Sequence, residues 1–253
     1  MVIQQSDRNA FLAELSAADY ELFRPHLTSF NLAAGERLQD LGAPIEQVVF
    51  PHSGLVALTM PLRNGSGGGA ILVGRDGFVG GFGAVAAAPA MCDADVYIPG
   101  RAARMSASAF RYVLDQSPLV RRVAARYNTA LMVQAHQTAL CNAAHPVEAR
   151  IARWLLEVLD RSGGFDVPLT QSTLAEMLGV QRTTVNLAAG RLEAAGVINC
   201  RRGYMQIVRR EQLERYSCEC YRSVRSYVSQ LFSVPAGAVP PIPAPADALR
   251  KTV

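Results

Sequence analysis

The sequence predicts an α+β chain in three parts: a β-rich N-terminal unit, one long helix, and a C-terminal winged helix-turn-helix. Three observations carry this. Short apolar runs separated by turn residues fill the region before Ser117. Pro118 to Ala143 contains neither Gly nor Pro after its first residue. The segment LTQSTLAEMLGVQRTTVNLAAGRLEAAGVINCRRGYMQIV holds two helical patterns joined at Gly179, then two strand patterns around Arg-Arg-Gly.

In chain order, FLAELSAADYELFRPHL places its apolar residues at helical spacing. The runs VVFP, LVALTMPL, AILVG and ADVYIP follow, punctuated by AGE, HSG, RNGSGGG, GRDG and IPGR. Strands this short, with turn signals between them, belong to a sandwich or barrel. Gly65 to Gly69 reads as a hairpin tip, with no lysine beside it to make a phosphate loop. This unit spans residues 1–117.

Pro118 suits a helix start, and the helix should run to about Ala143, roughly 39 Å at about 1.5 Å per residue, within a dimerisation segment spanning 118–145. Val120, Ala124, Tyr127, Leu131, Gln134, Thr138 and Cys141 step by fours and threes, the spacing of a coiled-coil seam. A long helix with a thin stripe needs a partner, and a second copy of the chain is the expected one. Packing onto its own β-unit is the alternative.

Pro146 breaks that helix and VEARIARWLLEVLDRSG starts another, with Ile151, Trp154, Leu155, Val158 and Leu159 inward and Gly163-Gly164 as its stop. The unit over 146–231 continues through FDVPL, read as a short strand. Residues 232–253 are Pro/Ala-rich and predict a disordered tail.

In the winged unit, Thr170 caps a helix that buries Leu174, Ala175, Met177 and Leu178. Gly179 supplies the left-handed residue of a tight turn. A second helix starts near Gln181, with Val185, Ala188, Ala189 and Leu192 inward, and Gly196 stops it. This order matches the helix-turn-helix that places its second helix in the major groove. Arg182 then suits bidentate contact with guanine, and Asn186 with adenine; Thr183 points the same way. Thr170, Gln171 and Thr184 stand where phosphates would run, and Gln181 belongs to the same DNA-binding set. Arg201 and Arg202 at the wing tip add sequence-independent affinity. A helical hairpin that binds protein, within a ligand-binding or signalling module, is the alternative.

Composition constrains the rest. The 253 residues are 50% hydrophobic and 18% charged, and net charge is +4 with Lys251 the single lysine. That is a mild lean toward anionic partners. No apolar run reaches the length of about 18 residues a membrane helix needs, and Met1 to Phe11 is too polar for a signal peptide, so a cytoplasmic chain without membrane contact is expected. Of five cysteines, Cys218 and Cys220 form the one close pair, to which Cys200 could add a third thiolate. A closed zinc site usually takes four ligands, so a structural role for all five is expected, with no metal and no cofactor. His26, His52, His136 and His145 show no pairing that singles one out as a ligand. There is no nucleophile–base constellation, so an enzyme is not expected.

The order of β-roll, long helix, Pro-broken helix and winged helix resembles the Crp–Fnr family of bacterial transcription regulators. The resemblance covers roughly Asn9 to Val208, through GERLQDLGAPIEQVVFPHSGLVAL, GRDGFVGGFGAV, HPVEARIARWLL and LTQSTLAEMLGVQRTTV. The CECY run, Cys218 to Tyr221, is similar to one in a proteobacterial subgroup with a degenerate cyclic-nucleotide pocket. The resemblance implies a cyclic-nucleotide-binding-like jelly roll and a homodimer on a pseudo-palindromic duplex site. RNA polymerase is an implied partner, and the effector is unknown or none.

The chain departs from the family in its pocket. Members that bind cyclic AMP use a Glu for the ribose and an Arg for the phosphate. Gly81, within Gly80-Gly81-Phe82-Gly83, stands at the Glu position here, and the later half carries Asp93 and Asp95 without an arginine. Carboxylates repel a cyclic phosphate that needs a cation or dense donors. The cysteine cluster of the iron–sulfur members is also missing, since no cysteine precedes Cys92. In the recognition helix, Thr183 and Asn186-Leu187 replace the usual reading residues, so the usual half-site is not expected.

Overall fold

The computed structural model describes residues 9–61, 67–162 and 166–233. Two short helices open it, α1 (Ala10–Ala13) and α2 (Ala17–Phe23), capped by the side chains of Asn9 and Ser16. Strands β1 (Thr28–Leu32), β2 (Arg37–Gln39), β3 (Gln47–Pro51), β4 (Leu55–Pro61), β5 (Gly67–Val73), β6 (Asp93–Ile98) and β7 (Gly100–Ser106) follow, with helix α3 (Gly81–Ala86) before β6. They form two antiparallel sheets, ordered β1-β7-β3 and β2-β6-β4-β5. Their core holds Phe11, Phe23, Phe50, Phe78 and Phe110, with neighbouring ring centroids 4.6–6.2 Å apart.

The β-roll predicted from the four apolar runs is present. Strands β1, β2 and β7 were not legible, because β7 alternates arginines with small residues rather than with large apolar ones. Gly67 and Gly68 pair with Pro61 and Met60 in β5 instead of forming a free hairpin tip; Gly65 and Ser66 lie outside the described residues.

Helix α4 (Ala107–Gln116) leads into α5 (Pro118–Ala144), which starts on the Ser117 cap and Pro118 as its pattern predicts. The stripe expected to form the dimer seam is buried inside the chain itself. Val120, Ala124, Tyr127 and Leu131 belong to the β-roll core, and the Tyr127 ring lies 4.4 Å from that of Phe78. Gln134 and Thr138 accept hydrogen bonds from Arg161 (2.9 Å) and Arg153 (3.2 Å) of α6 (Val147–Ser162). Spacing by fours and threes reports a buried face but not whose surface buries it. The arginines of α6 explain why two polar residues sit on that face.

Helix α6 has its apolar face where the sequence places it; its Gly163-Gly164 stop lies outside the described residues. After β8 (Asp166–Val167) come α7 (Gln171–Leu178), α8 (Arg182–Ala194), β9 (Ile198–Arg201) and β10 (Tyr204–Ile207). Strands β8, β10 and β9 make a small antiparallel sheet in that order. The chain then forms α9 (Arg210–Tyr216) and α10 (Cys220–Ser233). Phe232 and Ser233 thus belong to a helix, and the remainder of the expected tail, 234–253, lies outside the described residues.

The winged unit is not separate from the roll. Leu55, Ala57 and Leu72 share one hydrophobic core with Ile151, Leu155, Leu174 and Leu178. No described helix is long and apolar enough to cross a membrane.

Candidate nucleic-acid interface

Thr170 precedes α7 with an extended backbone, and its hydroxyl accepts from the Thr173 N–H at 3.1 Å. The helix ends at Gly179, whose φ of +62° is the left-handed conformation a C-terminal cap requires. The last carbonyls find donors: Val180 N–H bonds to Ala175 O at 3.0 Å, and the Arg150 guanidinium of α6 bonds to Leu178 O. Burial lowers the pKa of Arg150, but the end of α7 is where a helix dipole favours a cation.

Gln181 then caps α8 without a side-chain bond, leaving its amide outside. Val185, Ala188, Ala189 and Leu192 turn inward, as their spacing predicts. Gln181, Arg182, Thr183, Thr184 and Asn186 are all exposed. Leu187 is 71% exposed, an apolar side chain held out among them.

Beyond α8 the wing turns at Gly203, whose φ is +87°. Tyr204 pairs with Arg201 across the hairpin, and its ring centroid lies 6.0 Å from the Arg201 guanidinium. Thr170, Gln171, Arg182, Arg201 and Arg202 line a single groove of about 320 Å³ between helix pair and wing. Among the described residues, Arg182, Arg201 and Arg202 form no ion pair. Such a groove offers three uncommitted guanidinium groups beside a helix N-terminus, donors arranged for an anionic backbone.

Sequence reasoning missed Tyr204. The two-residue turn around Gly203 was the available signal, since it fixes Tyr204 opposite Arg201.

The residues expected to form a degenerate ligand pocket lie at α3 and on β6. Gly80, with φ +87°, caps α3, and a Cβ there would stand 2.6 Å from Gln47 O. A Cβ on Gly81 would meet the Phe78 ring at 2.0 Å, and one on Gly83 would meet Ile45 Cγ1 at 2.4 Å. The Phe78 ring therefore leaves no room for a side chain at Gly81, while Phe82 packs half-buried on the same core. Asp93 is buried, accepts from Leu41 N–H at 2.7 Å and pairs with Arg37 at 2.9 Å. Asp95 holds the same guanidinium at 2.7 and 3.0 Å, and that hydrogen bonding raises the pKa of Arg37.

The cysteines group differently from the sequence expectation. Cys200 sits on β9, where its N–H bonds to Glu193 at 2.8 Å, and burial raises its thiol pKa. The thiol that joins Cys218 and Cys220 is Cys141, from the end of α5.

Comparison with known proteins agrees with this geometry. Residues 149–216 match the family model described as a Crp-like helix-turn-helix domain. No curated protein sequence matches the chain. Among solved structures, FixK2 of Bradyrhizobium japonicum is 17% identical, with a TM-score of 0.63 over 76% of this chain and 98% of that one. The c-di-GMP-responsive global regulator CLP of Xanthomonas campestris is 16% identical, with a TM-score of 0.63 over 77% and 100%. A CRP/FNR-family transcriptional regulator of Thermus thermophilus is 20% identical, with a TM-score of 0.61 over 75% and 98%. The chain has the Crp/FNR fold, and its residues 149–216 are a Crp-like helix-turn-helix domain.

Proposed function

We propose that this chain is a homodimeric, sequence-specific DNA-binding transcription regulator of the Crp–Fnr type that does not respond to cyclic AMP. The groove between α7, α8 and the wing carries the reading. It gathers Thr170, Gln171, Arg182, Arg201 and Arg202 from three elements onto one exposed surface. Exposed Thr183 and Asn186 on the same helix complete the set facing bases, with Gln181 and Thr184 beside them. A dimer would read half-sites about one turn, ~10 bp, apart. Its cellular setting is cytoplasmic, and RNA polymerase is the partner such a regulator meets at promoters.

The dimer cannot use the stripe already buried in each copy. A second face of α5 suits it: Ala125, Thr129, Met132, His136, Ala139 and Ala143 are exposed and repeat at heptad spacing, with exposed Leu140 beside them. Small residues along that seam let two helices approach closely. Sedimentation at micromolar concentration should give a dimer, and Met132→Glu with Ala139→Glu should give a folded monomer.

The cyclic-AMP exclusion rests on the pocket. Gly81 leaves the Phe78 ring where a ribose-binding carboxylate would stand, and Arg37 is engaged by Asp93 and Asp95 rather than free for a phosphate. Calorimetry with cyclic AMP should show no heat of binding.

Genome-wide mapping of bound fragments with purified protein tests the main reading. Enrichment of a palindromic site is expected; equal affinity for that site and random duplex at moderate salt would sink it. Protein capture through the hollow lined by Leu187 and Tyr216, with no DNA bound at all, would favour the protein-contact module instead.

A further inference from the structure

Four side chains that the DNA interface does not use converge where the long helix meets the last one. Cys141 and His145 lie four residues apart on one face at the end of α5, where the His145 N–H still bonds to Cys141 O at 3.0 Å. Cys218 falls between α9 and α10, and Cys220 begins α10. We propose that Cys141, His145, Cys218 and Cys220 form a mononuclear, four-coordinate zinc site.

Geometry supports a single ion. One ligand atom from each residue lies within 4.8 Å of all the others. Cys141 Sγ is 3.5 Å from Cys218 Sγ, and Cys220 Sγ is 3.5 Å from His145 Nδ1. Zn–S bonds of about 2.3 Å in a tetrahedron set neighbouring sulfurs roughly 3.8 Å apart. A four-iron, four-sulfide cluster places each ligand on its own iron and a two-iron, two-sulfide cluster divides four ligands between two irons, so neither brings all four ligand atoms as close together as this set stands. A disulfide needs about 2.05 Å between sulfurs and would leave Cys220 and His145 without a role.

The donor chemistry selects the metal. Three thiolates and one imidazole form a closed soft set with no oxygen ligand for magnesium or calcium. All three cysteines are buried. The surrounding groups orient these ligands. Glu219 Oε1 lies 3.2 Å from His145 Nε2, which places the ring proton there and leaves Nδ1 free to ligate. Gln137 Nε2 donates to Cys220 Sγ at 3.0 Å. Three thiolates around a divalent ion leave one net negative charge, and the guanidiniums of Arg150 and Arg153 lie within electrostatic reach of Cys141.

The position indicates what the ion does. Pro146, directly after His145, separates the long helix from α6 and the winged unit. The site bolts the end of α5 to the segment that follows the wing. It therefore fixes the angle at which the DNA-reading surface leaves the long helix.

The test uses full-length protein purified under reducing conditions without chelator. Elemental analysis should find about one zinc per chain. Cobalt exchanged into the site should show thiolate charge-transfer bands and the intense visible bands of tetrahedral geometry. Cys218→Ser, Cys220→Ser and His145→Ala should abolish both signals, while Cys92→Ser and Cys200→Ser keep them. Glu219→Gln and Gln137→Ala retain all four ligands and should weaken zinc binding by about 10- to 100-fold, separating site from fold. Folded wild type that takes up neither metal overturns the proposal. So do iron with labile sulfide, a Cys141–Cys218 disulfide in the reduced preparation, or equal loss in the Cys92 and Cys200 variants.

Discussion

The arginines of α6 and those of α8 and the wing carry the same charge and stand in opposite surroundings. Arg153 and Arg161 are buried and committed: Arg153 pairs with Glu157 at 2.9 Å, and Arg161 reaches Asp76 at 3.1 Å. Burial works against the Arg161 guanidinium, but the charges of Asp76 and Glu157 outweigh it and its pKa is raised. Arg182, Arg201 and Arg202 are exposed with no carboxylate partner among the described residues. One set holds α5, α6 and the β-roll together. The other stands open to solvent. A count of arginines cannot make this distinction; what surrounds each one does.

Breaking the buried set should have the largest effect. Arg161→Ala leaves Gln134 and Asp76 without their donor and should destabilise the chain by about 3 kcal/mol in urea unfolding. Arg161→Met, which restores packing without the charge, should recover part of that loss if desolvation is the larger burden. Next comes Arg182→Ala: discrimination between the target site and random duplex should fall by about 1–3 kcal/mol, read as a ratio of dissociation constants. Its stability should stay within about 0.5 kcal/mol of wild type, the opposite of the Arg161 pattern. Thr170→Ala removes the cap of α7 and should cost about 1 kcal/mol of stability by thermal unfolding. The smallest change is expected from Arg202→Ala, which should weaken binding to all duplexes alike and reduce the salt slope by about one. An Arg202 variant that altered site preference instead would place the wing among the base readers.

Local physics made the winged unit legible. A cap at Thr170, a left-handed glycine at Gly179 and inward Val185, Ala188, Ala189 and Leu192 are short-range requirements, and each is met where the pattern puts it. Strand β7 and helices α3 and α9 were not legible, because small and charged residues there give no clean period. Helices α4 and α10 do carry one, with Phe110, Val113 and Leu114 inward on the first and Tyr221, Val224 and Leu231 on the second, and were missed all the same. The long helix was legible as an element, while its neighbours were not. Gln134 and Thr138 looked like members of a seam between copies, and they bond instead to arginines that follow Pro146.

The cysteines show the same division. The close spacing of Cys218 and Cys220 was visible, and Cys200 was the nearest third thiolate along the chain. Proximity in space brought Cys141 and His145 instead, from the far end of another helix. Sequence alone determined the order of β-rich unit, long helix and winged unit and the polar start of α8, since these follow from caps, turns and periodicity within a few residues. Only tertiary structure decided which face of α5 is buried at home, which arginines are free, and which thiolates meet. Those outcomes depend on contacts between residues tens of positions apart, and no local pattern carries them.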